Sequence, residues 1–260
     1  MMTTKKWALI TGASSGFGVD FARESAAEGY NLVLVARRTE PMRRLADELA
    51  ARHGLETRVI GIDLTEAGAA ARLKQQLDAQ GIAVDRLINN AGFGVFGELI
   101  TQPLNHTLNM LQLNVMSLTE LTQVFASEMA ARGAGQILLV ASLGAYQATP
   151  TYAAYCASKA YVLLFGEALH EELRPHGVTV SVLSPGVSAT EFFSVSGQRA
   201  TLYQRLVMMK SQQVAHIGLN ALRHGRASVV AGWLNAATAW GNRWLPRAMQ
   251  RKVAYQLMKN

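Results

Sequence analysis

The chain has 260 residues, of which 50% are hydrophobic and 17% are charged, which is typical of one large globular domain and excludes a disordered chain. The single cysteine, Cys156, excludes a disulfide framework, and no apolar run reaches the length of a membrane span. The net charge of +7 is uneven, because residues 1–191 carry 15 basic and 18 acidic side chains whereas residues 192–260 carry 10 basic and none acidic. The first residues do not resemble a signal peptide, so we expect a cytoplasmic protein.

Short apolar runs alternate with helical stretches along most of the chain. Strands are predicted over residues 7–10, 31–36, 57–63, 86–89, 136–141, 178–183 and 227–231. Helices are predicted over residues 18–28, 41–53, 66–80, 104–132 and 152–175. The strands are continuously apolar, as in a parallel sheet that helices cover on both faces, so the pattern predicts a single α/β domain with a doubly wound sheet. Residues 191–211 show no clean period and are predicted to form a small helical lid.

A glycine-rich turn follows the first predicted strand and opens the first helix. It reads Gly12-Ala13-Ser14-Ser15-Gly16-Phe17-Gly18. Glycines let a backbone turn tightly and approach a pyrophosphate, and a helix amino terminus attracts phosphate through its free N–H groups and its dipole. An ordinary strand-to-helix turn is the alternative, and three glycines after an early buried strand make it the weaker one.

The second strand ends in two arginines, Arg37 and Arg38, and no acid. A carboxylate at this position holds a free ribose 2′-hydroxyl, whereas a 2′-phosphate needs cations. Guanidinium groups suit phosphate, so the sequence predicts NADP(H) rather than NAD(H). The alternative is that the two arginines are solvated residues at a helix start.

Tyr155 and Lys159 lie four residues apart in a helical stretch, so both side chains share one face. An ammonium group near a phenol favours the phenolate, which predicts a lowered pKa and a tyrosine able to transfer a proton at a carbonyl or alcohol oxygen. A surface Tyr–Lys pair is the alternative for this spacing alone. Ser142 ends a buried strand, at the edge where open parallel sheets bind ligands, and Asn114 lies in the preceding long helix.

These motifs, in this order, resemble those of the short-chain dehydrogenase/reductase family in its single-domain branch. The resemblance covers roughly residues 5–191. It rests on the motifs Thr11-Gly12-x-x-x-Gly16-x-Gly18, Asp63-Leu64, Asn89-Asn90-Ala91-Gly92, Asn114, Ser142, Tyr155-x-x-x-Lys159 and Pro185-Gly186-x-x-x-Thr190. It implies a Rossmann fold and an NADP(H)-dependent oxidoreductase that interconverts a carbonyl and an alcohol.

The resemblance also implies roles for single residues. Tyr155 would be the general acid/base, Lys159 would lower its pKa and bind the nicotinamide ribose, Ser142 would hold the substrate oxygen, and Asn114 would anchor a water that relays protons. The implied substrate-binding residues are Ser142 and Tyr155. The implied cofactor-binding residues are Gly12, Ser14, Ser15, Gly16, Phe17, Gly18, Arg37, Arg38, Asp63, Leu64, Asn90, Ala91, Gly92, Tyr155, Lys159, Pro185, Gly186, Val187 and Thr190.

The remaining features concern the substrate and partners. Aromatic residues in the loops after the strands indicate a small-molecule carbonyl or alcohol of hydrophobic character as the substrate. The alternative is that these residues pack the lid against the core. Tyr152 is expected to form a wall of the substrate pocket. No histidine spacing indicates a metal site. By resemblance we expect a homodimer or homotetramer, and no nucleic-acid partner.

The acid-free tail, residues 233–260, is interpreted as a basic helix on the domain or at a subunit interface. A contact with anionic lipid and a docking patch for an acidic partner are the alternatives. A non-catalytic dinucleotide-binding sensor and a membrane-surface protein remain as alternative functions.

Overall fold

The computed structural model describes residues 6–186 and 208–258. Within these residues, seven strands form one sheet. They are β1 (Trp7–Thr11), β2 (Asn31–Ala36), β3 (Thr57–Gly61), β4 (Val84–Asn89), β5 (Gly135–Val140), β6 (Val178–Ser184) and β7 (Ser228–Val230). The helices are α1 (Phe17–Ala27), α2 (Thr39–His53), α3 (Ala69–Asp78), α4 (Leu104–Leu111), α5 (Leu118–Arg132), α6 (Ala153–Leu173), α7 (Ser211–Arg223), α8 (Trp233–Gly241) and α9 (Arg247–Met258).

The strands are all parallel, in the order β3-β2-β1-β4-β5-β6-β7. The chain runs outward from β1 in one direction through β3 and then in the other from β4 to β7. This reversal opens a crevice at the carboxyl ends of β1 and β4. The predicted doubly wound parallel sheet is confirmed.

Two apolar cores lie on opposite faces of the sheet, because successive strand residues point to opposite sides. On β1, Leu9 packs into the core under α3, α5 and α6. Its neighbours Ala8 and Ile10 pack into the core under α1, α2 and α7. Both faces of each central strand are therefore buried, which is why the strands read as continuous apolar runs.

Two differences from the predicted elements concern the helices. The single helix expected over residues 104–132 is two helices, joined by a π-helical turn at Gln112–Ser117. Helix α7 was not predicted, and the acid-free tail folds into α8 and α9. The predicted lid lies outside the described residues, apart from its last four positions. Among the described helices, none combines the length and the apolar character that a bilayer span requires.

Candidate active site

The turn after β1 brings two chain segments unusually close together. Gly12 and Gly16 have positive φ angles of 67° and 56°, which side chains disfavour. A Cβ atom at Gly12 would lie 2.8 Å from Asn90 Nδ2, and one at Gly18 would lie 2.2 Å from the Gly12 carbonyl oxygen. Each of the three predicted glycines is therefore required by the backbone itself.

Helix α1 begins at this turn with its amino end facing the crevice. Gly16, at the cap position, gives no side-chain hydrogen bond to the first amide groups. Free N–H groups at the positive end of a helix dipole form an anion site. Ser14, Ser15 and Phe17 lie in the same turn, so the predicted phosphate-binding residues are brought together here. The turn fits the pyrophosphate of a dinucleotide.

The loop after β4 is fastened to the end of β1. The Thr11 hydroxyl accepts hydrogen bonds from the backbone N–H groups of Asn90 and Ala91, both at 2.9 Å. The Asn90 side chain donates to the Thr11 carbonyl oxygen at 2.9 Å. The side-chain amide of Asn90, a residue expected along the cofactor, therefore stabilises the edge of the crevice. Thr11 opens the glycine-rich motif, but the sequence alone does not show that its hydroxyl holds the loop after β4.

The two arginines after β2 point to different partners. Arg38 Nη2 lies 3.4 Å from Ser14 Oγ, so this guanidinium reaches the glycine-rich turn. Arg37 Nη1 lies 3.9 Å from Asp63 Oδ2. Both arginines are exposed. The structure thus brings two cations, the phosphate turn and Asp63 to one end of the crevice.

Asp63 and Leu64 form a tight turn after β3. Burial alone would raise the pKa of Asp63, but hydrogen bonds from the backbone N–H and the hydroxyl of Thr65, with the nearby Arg37, lower it below its usual range. Ser117 Oγ donates to the Leu64 carbonyl oxygen at 2.5 Å, which ties this turn to the π-helical turn. Asp63 is therefore a fixed carboxylate, and its contact with adenine, which the resemblance implies, stays a prediction.

Tyr155 and Ser142 meet at the start of α6. Ser142 follows β5, accepts a hydrogen bond from Gly144 N at 3.1 Å and is hydrogen-bonded to the Tyr155 side chain. A Cβ atom at Gly144 would lie 2.8 Å from Cys156 Sγ, so glycine lets the Ser142 turn pack against α6. Burial raises the pKa of Cys156 to about 11, so the thiol keeps its proton and packs here as a small apolar group.

Lys159 lies one helical turn beyond Tyr155, with its Nζ 6.0 Å from the centre of the tyrosine ring. It is buried and donates a hydrogen bond to the Val140 carbonyl oxygen at 2.8 Å. Burial lowers the pKa of Lys159 to about 8. Burial also raises the pKa of Tyr155, against the opposing effect of its hydrogen bond with Ser142. The placement of Lys159 one turn from Tyr155 matches the prediction. The pKa of Tyr155 is raised instead of lowered, because the loss of hydration on burial dominates.

Asn114 lies in the π-helical turn and is fully buried. Its side chain accepts a hydrogen bond from Phe93 N at 3.1 Å and donates to Phe93 O and to Ser158 Oγ, at 3.0 and 3.1 Å. A Cβ atom at Gly92 would lie 2.8 Å from Asn114 Oδ1 and 3.4 Å from Lys159 Nζ, so both groups border one small space. A π-turn of this kind frequently marks a functional site.

Aromatic side chains line the other side of Tyr155. The Tyr152 ring lies 5.7 Å from that of Tyr155 and 5.3 Å from that of Phe96. Gly97 N donates a hydrogen bond to the Thr151 carbonyl oxygen at 2.9 Å, which holds the two loops together. Tyr152 is buried and two turns from Lys159, so it is placed as the pocket wall that the sequence predicts.

The first two residues after β6, Pro185 and Gly186, lie next to Ser142 and α8. The Pro185 carbonyl oxygen accepts a hydrogen bond from Leu143 N at 2.7 Å, next to Ser142. A Cβ atom at Gly186 would lie 2.3 Å from Asn235 Nδ2, so α8 packs directly on this loop. This contact was not predicted. Two predicted cofactor contacts, Val187 and Thr190, lie outside the described residues.

Comparison with known proteins gives a consistent family. The family model described as short chain dehydrogenase matches residues 6–200. A very-long-chain 3-oxoacyl-CoA reductase of Pyricularia oryzae is 37% identical over 180 residues, which cover 68% of this chain and 54% of that protein. A 17-beta-hydroxysteroid dehydrogenase type 3 of Mus musculus is 32% identical over 182 residues, covering 69% and 59%. This chain therefore spans little more than half the length of these relatives.

Solved structures match over almost the whole fold. A short-chain dehydrogenase from Sphingobium yanoikuyae in complex with NADPH has a TM-score of 0.83 at 28% identity, covering 92% of this chain and 94% of that one. A short-chain dehydrogenase/reductase from Burkholderia phymatum in complex with NAD has a TM-score of 0.80 at 28% identity, covering 92% and 93%. Both kinds of nicotinamide dinucleotide thus occur among its structural neighbours.

Proposed function

Since this chain belongs to the short-chain dehydrogenase family, we propose that it is an NADP(H)-dependent reductase of a bulky, hydrophobic ketone. The observation that carries the proposal is the grouping of Ser142, Tyr155 and Lys159 at the carboxyl edge of the sheet, beside a glycine-rich turn shaped for phosphate. A hydroxyl pair and an amine in this position suit proton transfer to an oxygen.

The proposed reaction adds a hydride to the carbonyl carbon and a proton to its oxygen. The dinucleotide, when bound, supplies the hydride. The Ser142 and Tyr155 hydroxyls bind the carbonyl oxygen and polarise it. Tyr155 then gives its proton to that oxygen and is left as a phenolate. The transfer is favourable because an alkoxide is more basic than a phenolate. The product is the alcohol, and the phenolate must recover a proton.

Burial of the two groups supports the direction of reduction. It raises the pKa of Tyr155, so this hydroxyl holds its proton at neutral pH, as a general acid must. It lowers the pKa of Lys159 to about 8, which makes the ammonium the stronger acid of the two. A proton therefore passes favourably from Lys159 to the phenolate. The Asn114 side chain is fixed by hydrogen bonds to Phe93 and Ser158 and borders the same small space as Lys159 Nζ, so we propose it as the residue that anchors a relay to Lys159.

The walls of the site support a bulky, apolar substrate. Phe96 and Tyr152 stand against Tyr155, and Phe93 stacks on His106 with ring centres 5.5 Å apart. Such walls bind hydrocarbon and leave the two hydroxyls as the polar groups that orient a carbonyl. The relatives named for 3-oxoacyl-CoA and for hydroxysteroids support the same class, so we infer a ketone with a long acyl chain or a fused-ring body.

The experiment that tests the proposal is a screen of bulky ketones, read as loss of NADPH absorbance, with wild type and two tyrosine variants. Tyr155→Phe is expected to lose turnover while it still binds NADPH, since the hydroxyl is removed and the ring is kept. Tyr152→Phe is the matched control and is expected to keep turnover. Full activity in Tyr155→Phe, or its loss in Tyr152→Phe alone, would contradict the assignment.

For the cofactor, we infer that Arg38 is the main ligand of a 2′-phosphate. Its guanidinium already lies at Ser14 in the phosphate turn, whereas Arg37 is partly neutralised by Asp63. Arg38→Ala is expected to weaken NADPH binding and leave NADH binding nearly unchanged in a fluorescence titration. Arg43→Ala, an exposed arginine further along α2, is the control. Equal affinity of wild type for NADPH and NADH would refute the inference.

We also propose that the chain forms a homo-oligomer. Met116, Tyr161 and Leu164 are exposed on the π-helical turn and α6, with 53%, 37% and 67% of their surface accessible. Tyr161 stacks on Phe165 at 5.4 Å, which gives this face a flat apolar surface. Contact with a second copy would bury it.

A further inference from the structure

Helix α8 has its apolar face turned outward. Trp233, Ala237 and Trp240 follow the spacing of one helix face, and all three are exposed, Trp233 by 77% and Trp240 by 62%. The opposite face carries Asn235 and Ala239, which are buried. An ordinary surface helix shows the reverse arrangement. The exposed indoles are therefore available to an apolar partner.

The apolar surface continues beyond α8. Trp244 is 74% exposed, and its ring packs edge-on against that of Trp240 at 5.8 Å. On the following turn and α9, Leu245, Met249 and Val253 are also exposed. Together with the outward face of α8 and the basic residues Arg243, Arg247, Arg251 and Lys252, these residues form what we call the tryptophan–arginine surface.

Basic side chains alternate with these apolar side chains along the sequence. The cations are Arg243, Arg247, Arg251 and Lys252, all exposed. Within residues 6–186 and 208–258, none of them takes part in an ion pair. The sequence has no acid after Glu191. The positive charge of this surface is therefore available to an anionic partner.

We propose that the tryptophan–arginine surface docks on an anionic phospholipid bilayer. Indole rings settle at the level of the lipid headgroups, and basic side chains bind anionic headgroups, each worth about a fivefold gain in affinity. A second copy fits poorly, because a two-fold contact would set the same unpaired cations against themselves. Three exposed indoles and four exposed cations, within α8, α9 and the turn between them, suit a fluid, apolar and anionic partner.

The surface lies beside the candidate active site. Helix α8 packs on Gly186 through Asn235, and Asn242 Nδ2 donates to Gln147 Oε1 at 2.7 Å, a few residues after Ser142. Docking would place the mouth of the site at the lipid surface, where a hydrophobic ketone would be concentrated. That last consequence rests on the proposed function, whereas the docking itself does not.

The test is sedimentation of the full chain with vesicles, one set of phosphatidylcholine and one of equal parts phosphatidylcholine and phosphatidylglycerol. Wild type is expected to sediment with the anionic vesicles and shift its tryptophan emission to the blue. Arg247→Glu/Arg251→Glu is expected to weaken binding at least about tenfold, and Trp240→Ser/Trp244→Ser to weaken it as well. Arg43→Glu/Arg52→Glu, exposed on α2, makes the same change in net charge and is expected to keep wild-type binding.

Several results would overturn the proposal. These are equal binding to both vesicle types, no binding to either, and an equal loss of binding in the α2 control. A fall in oligomer mass by light scattering in the α9 variant, without vesicle binding by wild type, would assign the surface to a second copy. Each variant is also assayed for turnover of a water-soluble ketone without vesicles. Because this readout is independent of docking, failure of the docking proposal and failure of the proposed reaction can be told apart.

Discussion

Replacing Lys159 with methionine should stabilise the protein at neutral pH while turnover is lost. Burial lowers the pKa of this lysine from 10.5 to about 8, which corresponds to about 3 kcal/mol of cost for holding the charged form in the folded state. Methionine removes that cost. It also removes the hydrogen bond to the Val140 carbonyl oxygen, and an unpaired buried oxygen costs about 1–3 kcal/mol. We expect a net gain of about 1 kcal/mol near pH 7.

The sign of this effect should change with pH. Between about pH 8 and pH 10.5 the unfolded chain keeps the proton on Lys159 while the folded chain does not, so the stability of wild type rises with pH in this window. The methionine variant has no such gain and still lacks the hydrogen bond. The advantage of the variant should therefore fall by about 2 kcal/mol between about pH 7 and pH 9.5, and reverse.

The assay is urea unfolding followed by tryptophan fluorescence, without added dinucleotide, at a series of pH values. Lys252→Met, at an exposed lysine of α9, is the matched control for loss of one lysine. A stability difference for Lys159→Met that stays constant from neutral to alkaline pH would refute the reasoning, because it would mean that the folded site does not disfavour the ammonium.

Three further predictions concern the phosphate turn, the π-helical turn and the oligomer. Gly18→Ala sets a Cβ 2.2 Å from the Gly12 carbonyl oxygen. NADPH affinity, measured by fluorescence titration, should therefore fall at least about tenfold, or about 1.4 kcal/mol. The control Gly241→Ala, with open space at its Cβ, should bind NADPH normally. Asn114→Ala loses three buried hydrogen bonds and should lower the free energy of unfolding by about 3 kcal/mol in urea. Leu164→Glu places a charge on the exposed α6 face and should reduce the mass measured by light scattering.

The sheet could be predicted from sequence because both faces of its strands are buried. The run Asn31–Ala36 reads as a strand without ambiguity and is one. The π-helical turn at Gln112–Ser117 could not be predicted, since it contains neither proline nor glycine and the apolar period continues through it. The turn coincides with a tertiary contact that sequence cannot show, because the buried Asn114 amide is held by the backbone of Phe93 on the neighbouring loop.

The candidate site was predictable where strand order alone brings residues together. Ser142 and the glycine-rich turn each follow a parallel strand, so they reach the same edge of the sheet. Contacts decided by packing were not predictable. Arg38 reaching Ser14, and Asn235 packing on Gly186, depend on how helices settle on the sheet. The outward face of α8 is the clearest case, because periodicity predicts that a tryptophan stripe is buried.

The expected effect of Lys159 on Tyr155 fails for a reason that spacing cannot reveal. An ammonium about 6 Å from a phenolate would stabilise it by about 3 kcal/mol at an effective dielectric constant of about 20, which is why the four-residue spacing predicts a lowered pKa. That attraction exists only while the lysine is charged. Burial lowers the pKa of Lys159 to about 8 and raises that of Tyr155 above its usual value. The ammonium is therefore lost before the phenol ionises, and its field is absent when Tyr155 titrates. Spacing fixes the distance between the two groups, whereas burial decides which of them releases its proton first.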